Sequence, residues 1–282
     1  MLSLAKSDLL LSKIRDGISM NGGEKFNLIC LLSIPSILAQ MTNVIMFLID
    51  QAMVGSLGAE APAAIGLVES TIWLFGGLSS AVSMGFSVQT AHFIGANDFG
   101  KARQVVRHAI VCCLLFSLTM MTIAALLSTQ LPVWLGGGDD ITGDASAYFL
   151  IFAFCIPLMQ MNNLSSAMLK CDGKMRITSA MSVILCAMDV FFNFLFIFPT
   201  RTITLLGAEL TIPGFNLGVR GAALGTAVAF AIAMSVQCWF AFYRSEILGV
   251  IRLKTKMVFN ISYIRNALKI SIPIACQSIL MS

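Results

Sequence analysis

Charge is scarce in this sequence. Asp, Glu, Lys and Arg supply only 11% of its 282 residues, where a soluble domain carries about 25%. Tyr and Trp number three each and His two. No phosphate-binding glycine fingerprint or P-loop occurs, and no Gly-x-Ser-x-Gly or His-Glu-x-x-His. Gly136-Gly137-Gly138 stands ahead of Asp139 and Asp140 and reads as a turn. The eight cysteines include no CxxC pair or zinc spacing, so they read as small packing residues or free thiols. His92 and His108 flank one loop without matching ligands. These absences argue against nucleotide-driven work, hydrolysis and a bound metal. Energy for any transport must then come from an ion gradient or a separate subunit. No cleavable signal is expected, because Leu9-Leu10-Leu11 is too short for an h-region.

What fills the sequence instead is hydrocarbon. Apolar residues make up 57% of it, and six runs reach the roughly 20 residues that a bilayer requires. They cover about 28–55, 62–94, 105–131, 147–169, 178–199 and 219–243. A seventh begins near Ala267. The expected fold class is an all-α, polytopic membrane protein. A cytoplasmic segment 1–27 precedes a six-helix bundle 28–243. A basic linker 244–266 then leads into residues 267–282, the start of a seventh helix that is cut off.

Lys and Arg alternate sharply between sides. One side holds Lys6, Lys13, Arg15 and Lys25, then Lys101, Arg103 and Arg107, then Lys170, Lys174 and Arg176. Arg244, Arg252, Lys254, Lys256, Arg265 and Lys269 complete it, which leaves only Arg201 and Arg220 for the other. The positive-inside rule makes the basic side, and the N-terminus, cytoplasmic. The net charge of +4 therefore reflects orientation in a plasma (inner) membrane, and nucleic acid is not an expected partner. The seventh run also echoes the first: Ser33-Ile34-Pro35 with Gln40 resembles Ser271-Ile272-Pro273 with Gln277. Such an echo arises by chance or by a parallel duplication of six spans, as in two-lobed transporters.

Against this background the polar residues inside spans are informative, since a charge in hydrocarbon costs roughly 2.5–3.5 kcal/mol on insertion scales. Ser36, Gln40, Asn43 and Asp50 share one face of the first run. In the fifth run Ser182, Cys186, Asp189 and Asn193 are spaced 4, 3 and 4, one stripe among phenylalanines. Glu69 lies in the outer half of the second run, on a face with Trp73, Gly76, Ser80 and Ser87. Gln160 and Asn163 share a face of the fourth, just after Pro157. Gln and Asn in a membrane also serve as helix–helix glue, so Gln40, Asn43, Gln160 and Asn163 line a cavity or bond between helices. Glu69 lines the cavity or sits at the interface. The acids have no basic partner in any span. That suits groups that exchange a proton or bind Na⁺ at Asp50 or Asp189, and it does not suit a structural salt bridge.

Four short motifs together resemble one family. They are Ile49-Asp50-Gln51-Ala52-Met53-Val54-Gly55-Ser56-Leu57-Gly58 with Ala63-Ala64-Ile65-Gly66-Leu67, and Gly85-Phe86-Ser87-Val88-Gln89 through Ile94-Gly95-Ala96-Asn97-Asp98. Leu169-Lys170-Cys171-Asp172-Gly173-Lys174 and Gly218-Val219-Arg220-Gly221-Ala222-Ala223-Leu224-Gly225-Thr226 follow. The pattern resembles the multidrug and toxic compound extrusion (MATE) family over about residues 28–243. The resemblance implies one lobe of a two-lobed, twelve-helix antiporter that exports organic cations or other amphipathic compounds. H⁺ or Na⁺ would drive it, with no other cofactor. It also implies that the missing C-terminal lobe and the lipid bilayer are partners. The family's first-helix Asp falls on Asp50. One branch carries Asn and then Asp four residues later in the fifth helix, where this chain has Asp189 and Asn193, the reverse order. That branch's fourth-helix Asn meets Ser166. The ion-coupling set is then Asp50, Asp189 and Asn193, and the cavity set is Gln40, Asn43, Glu69, Gln160, Asn163 and Ser166. A flippase for lipid-linked saccharides in the same superfamily and a non-transporting scaffold or channel subunit are the alternatives.

Overall fold

The computed structural model describes residues 10, 13, 19–205, 208–245, 247–250 and 259–281. The basic residues Lys6, Arg15, Arg252, Lys254 and Lys256 lie outside the described residues, and the side chain of Arg201 is not described. Seven long helices organise the rest. They are α1 (Gly22–Gly55), α2 (Glu60–Gly95), α3 (Phe99–Leu127), α4 (Asp139–Cys171), α5 (Met175–Ile197), α6 (Gly218–Cys238) and α7 (Ile261–Met281). The first six are long and apolar enough to cross a membrane, α6 together with the widened π turn Trp239–Arg244 that extends it. Their 34, 36, 29, 33 and 23 residues in α1 to α5 span from about 35 to 54 Å at 1.5 Å per residue. Each exceeds a hydrocarbon core of about 30 Å.

The connections are short because each carries its own turn chemistry. Asn21 caps α1 in a reciprocal box with Glu24. Asn97 adopts φ 57° and Asp98 then caps α3, its carboxylate accepting from the Lys101 N–H at 3.1 Å. The Lys101 ammonium and this N–H hold the Asp98 carboxyl below the usual carboxylate range. Gly173 (φ 79°) ends α4 and Gly218 (φ 57°) opens α6; a left-handed backbone favours glycine at both. Between α5 and α6 the chain forms an antiparallel ribbon, β1 (Pro199–Leu205) with β2 (Ala208–Phe215). This ribbon, which helical periodicity does not reveal, is confined to the loop.

The helices pack as a ring. α5 lies against α1 and α6, α6 against α4, and α4 against α2, while α3 backs α2 and α4 from outside. Apolar clusters hold the ring; Val54, Ile197 and Val219 join α1, α5 and α6, as do Leu185 and Ala229 for α5 and α6, and two larger ones lie around α2 to α4. One, at the basic end, gathers Phe86, Val105, Val106, Leu164 and Met168 with Phe242 and Leu248. The other, at the opposite end, gathers Val68, Phe75, Phe149 and Ile156. Between spanning helices lipid is as apolar as these side chains, so close packing rather than escape from water holds them together. α7 begins at Ile261, ahead of the Ala267 expected, and packs along α2. Close approach requires small residues there: a Cβ on Gly77 would sit 2.7 Å from the Cβ of Ser278, and one on Gly85 would meet Ser271.

The segment leading to α7 is tied to the basic end. Arg103 Nε donates to the Ile247 carbonyl at 2.9 Å, and an Arg107 guanidinium nitrogen to that of Val250 at 2.9 Å. Ser245 Oγ donates to the buried Asp172 carboxylate at 3.0 Å, and Lys174 pairs with the same oxygen at 2.7 Å. The Nε2 of buried His108 accepts the Asn260 N–H at 3.1 Å. That geometry makes Nδ1 the protonated nitrogen, which donates to the Gln104 carbonyl at 2.7 Å.

Candidate functional site

α1, α2, α4, α5 and α6, with Ser278 of α7, line an open cavity of about 730 Å³. Its walls follow from helix periodicity. Ser36, Gln40, Asn43, Phe47 and Asp50 descend one face of α1, and Tyr148, Phe152, Cys155, Met159, Asn163 and Ser166 one face of α4. Glu69 and Trp73 contribute from α2. Gln40, Asn43, Glu69, Asn163 and Ser166 thus lie along one space.

Gln160 does not join them. It is fully buried in the contact between α2 and α4, where its Nε2 donates to Ser83 Oγ at 2.9 Å. Its offset from Met159 and Asn163 on the helix turns it away from the cavity and into the neighbouring helix. The expectation that Gln160 lines the cavity is therefore corrected: it is interhelical glue, the other role open to an amide in a membrane.

The polar centre of the cavity is a three-residue cluster. Asn193 Nδ2 donates to Asp50 Oδ1 at 2.9 Å and to Asp189 Oδ2 at 3.1 Å, one amide hydrogen to each carboxylate. Asp189 and Asn193 are one turn apart on α5 and buried, whereas Asp50 reaches them from α1 and opens to the cavity. Asp189 sits behind Asn193 and does not line the cavity itself. The Asp50 and Asp189 carboxyls are in contact with each other, and Thr226 of α6 also approaches Asp189. Asp189 Oδ1 and Asn193 Oδ1 are buried without a hydrogen-bond partner among the described residues. The cluster thus gathers one amide and two carboxyls, with two of its oxygens lacking a hydrogen-bond donor among the described residues. Tyr148 lines the same cavity, within electrostatic reach of Asp50, Asp189 and Glu69.

Glycines make this arrangement possible. A Cβ on Gly225 would lie 2.8 Å from the Asn193 backbone nitrogen, and one on Gly221 would lie 2.5 Å from the Phe196 carbonyl oxygen. Gly221 and Gly225 form a GxxxG pair that lets α6 lie directly on α5. That contact delivers Thr226 to Asp189.

The fold matches known proteins. A MatE family profile matches residues 35–195, more than half of the chain. The chain belongs to the MatE family. It is a multi-pass membrane protein of a transporter family, not an enzyme. Multidrug export protein MepA of Staphylococcus saprophyticus is 21% identical over 257 residues, covering 88% of this chain and 52% of MepA. The probable multidrug resistance protein NorM of Thermotoga maritima is 20% identical over 215 residues, covering 76% of this chain and 44% of NorM. The structure of an outward-facing multidrug resistance MATE family transporter of the MOP superfamily superposes with a TM-score of 0.78 at 21% identity. That superposition covers 89% of this chain and 52% of the other. This MatE chain spans about half the length of the relatives it matches.

Thr226, Gly225 and Tyr148 are absent from the site residues that the sequence suggests. A signal for the first two exists. Gly221-x-x-x-Gly225 marks a tight helix contact, and a polar residue directly after it is held at that contact. Tyr148 carries no such signal, because one tyrosine in an apolar run reads as interface or core.

Proposed function

We propose that this chain is the N-terminal lobe of a cation-coupled exporter of organic cations and other amphipathic compounds. Residues 28–243 form that lobe, the chain from 244 links the lobes, and the helix from Ile261 begins the second. The N-terminus is cytoplasmic in a plasma (inner) membrane. The observation that carries this reading is the amide of Asn193 bridging Asp50 and Asp189 inside a spanning bundle. Two ionised carboxylates in contact repel one another, and a cation held between them removes that repulsion. A proton would sit on one carboxyl and be shared with the other. A Na⁺ ion would take oxygens from Asp50, Asp189, Asn193 and Thr226.

Ion entry changes how strongly Asp50 is drawn toward α5. Because Asp50 lies on the cavity wall, this couples ion occupancy to the packing of α1 and to the space left for substrate. One ion moving down a 100 mV potential supplies about 2.3 kcal/mol to the uphill step. A carrier of lipid-linked pyrophosphate would need basic residues in mid-cavity. The lining holds one, Lys170, in the last turn of α4, so the cation exporter is the better reading.

The test is efflux of a fluorescent organic cation from proteoliposomes holding the full-length protein, under an imposed proton gradient and, separately, a Na⁺ gradient. Flux should follow one gradient and be lost in Asp50→Asn and Asp189→Asn at normal folded yield. Equal flux in all three proteins would remove both acids from the mechanism.

A further inference from the structure

Glu69 and Trp73 stand one turn apart on α2 and face the cavity beside the cluster of Asp50, Asp189 and Asn193. The Glu69 carboxylate is half-buried. Among the described residues its hydrogen-bond contact is the Trp73 indole N–H, at a long 3.4 Å, and no cationic side chain pairs with it. The surroundings are aromatic. Phe47 meets Trp73 edge-on, centroids 6.2 Å apart and planes at 65°, while Tyr148 and Phe152 line the wall contributed by α4. Trp73 keeps 61% of its surface open. The one basic residue of the cavity lining, Lys170, is 22 residues beyond Tyr148 on α4, about 33 Å along the helix.

This is a half-buried anion, set among aromatic faces, with no resident counter-charge. A small cation such as Na⁺ needs several oxygen ligands, and here one carboxylate is offered. A bulky cation without N–H groups needs the opposite: one charge at moderate distance and π-faces to replace water. A cation over Trp is worth about 0.5–2 kcal/mol, depending on desolvation. We infer that Glu69 and Trp73 form a substrate subsite, separate from the coupling cluster, that selects permanent organic cations of the quaternary ammonium or phosphonium class. Phe47 packs edge-on against the Trp73 ring, and Tyr148 adds a further aromatic face to the wall. This subsite rests on the exporter reading above. It assigns recognition of the substrate's charge to α2, and ion coupling to α1 and α5.

Pairs of this kind also occur as anchors in the interfacial aromatic belt, and the two roles give different kinetics. The experiment measures transport of tetraphenylphosphonium against concentration in proteoliposomes of the full-length protein, with thermal stability recorded in parallel. Glu69→Gln and Trp73→Leu should each raise KM about tenfold with the maximal rate within twofold. Glu69→Asp and Trp73→Phe, which keep the charge and the aromatic face, should stay within about threefold of wild type. Asp50→Asn should instead lose the maximal rate. Unchanged KM in Glu69→Gln and Trp73→Leu, with only stability lowered, would make the pair a belt anchor and overturn the subsite alone. Failure of wild type to transport tetraphenylphosphonium under either gradient would overturn the exporter reading and the subsite with it.

Discussion

Gly225 seats Asn193. The α6 backbone passes so near α5 that a methyl group at 225 would lie 2.8 Å from the Asn193 nitrogen and closer still to its Oδ1. The amide that bridges two acids is thus positioned by a residue with no side chain. Small-to-large changes in a packed core cost about 1–3 kcal/mol. Gly225→Ala should therefore lower the melting temperature and displace Asn193, reducing ion-coupled flux more than tenfold. Gly66→Ala, where a Cβ meets nothing within 4 Å, should leave both unchanged. Thermal unfolding and flux measured on the two variants check this.

The order of the fifth-helix pair gives a second prediction. Asn193→Asp places a third carboxylate against Asp50 and Asp189 and removes both bridging N–H groups. Asp189→Asn removes one of the two acids instead. Either single change should abolish coupled flux. The double exchange, Asp189→Asn with Asn193→Asp, restores one amide and one acid one turn apart on α5, with Asp50 facing them from α1. It should recover more flux than either single variant when all four proteins are compared at equal folded yield.

Gln160 should behave unlike its neighbours on α4. Its Nε2 bonds to Ser83 between two helices and does not reach the cavity. Gln160→Leu should cost about 1 kcal/mol of stability, the size of one net hydrogen bond, with KM for substrate unchanged. Asn163→Leu, on the cavity wall, should change KM. Concentration-dependent transport separates the two.

The start of α7 gives a fourth prediction. The acceptor for the Asn260 N–H is His108 Nε2, and the His108 ring also packs on Phe259 and Tyr263. His108→Phe keeps the ring contacts and deletes the acceptor. Amide hydrogen exchange at Asn260 should then quicken severalfold, with exchange in the middle of α3 unchanged.

Much of this architecture is legible in the sequence. The C-terminal ends of the six apolar runs fall within about five residues of the helix ends, while three runs start six to eight residues inside their helices. The motifs that carry the family resemblance are largely turn and cap residues: Asn97 with Asp98, Gly173, and Gly218. Such residues obey local rules, so sequence shows them plainly. The face shared by Asp189 and Asn193 was equally local, being one helical turn. What the sequence hid is contact between helices. Nothing local pairs Asp50 with Asn193, which are 143 positions apart, and nothing local turns Gln160 toward Ser83. The ribbon from Pro199 to Phe215 was missed because it lies between spans, where hydropathy carries no signal.

The most direct test of the central claim is ion binding itself. Purified full-length protein would be titrated with Na⁺ at fixed pH, and proton uptake followed at fixed Na⁺, for wild type, Asp50→Asn and Asp189→Asn. The account predicts saturable binding of one of the two ions to wild type and its loss in both variants, with folding intact. Wild-type binding that persists unchanged in both variants would place the coupling site elsewhere and contradict the account.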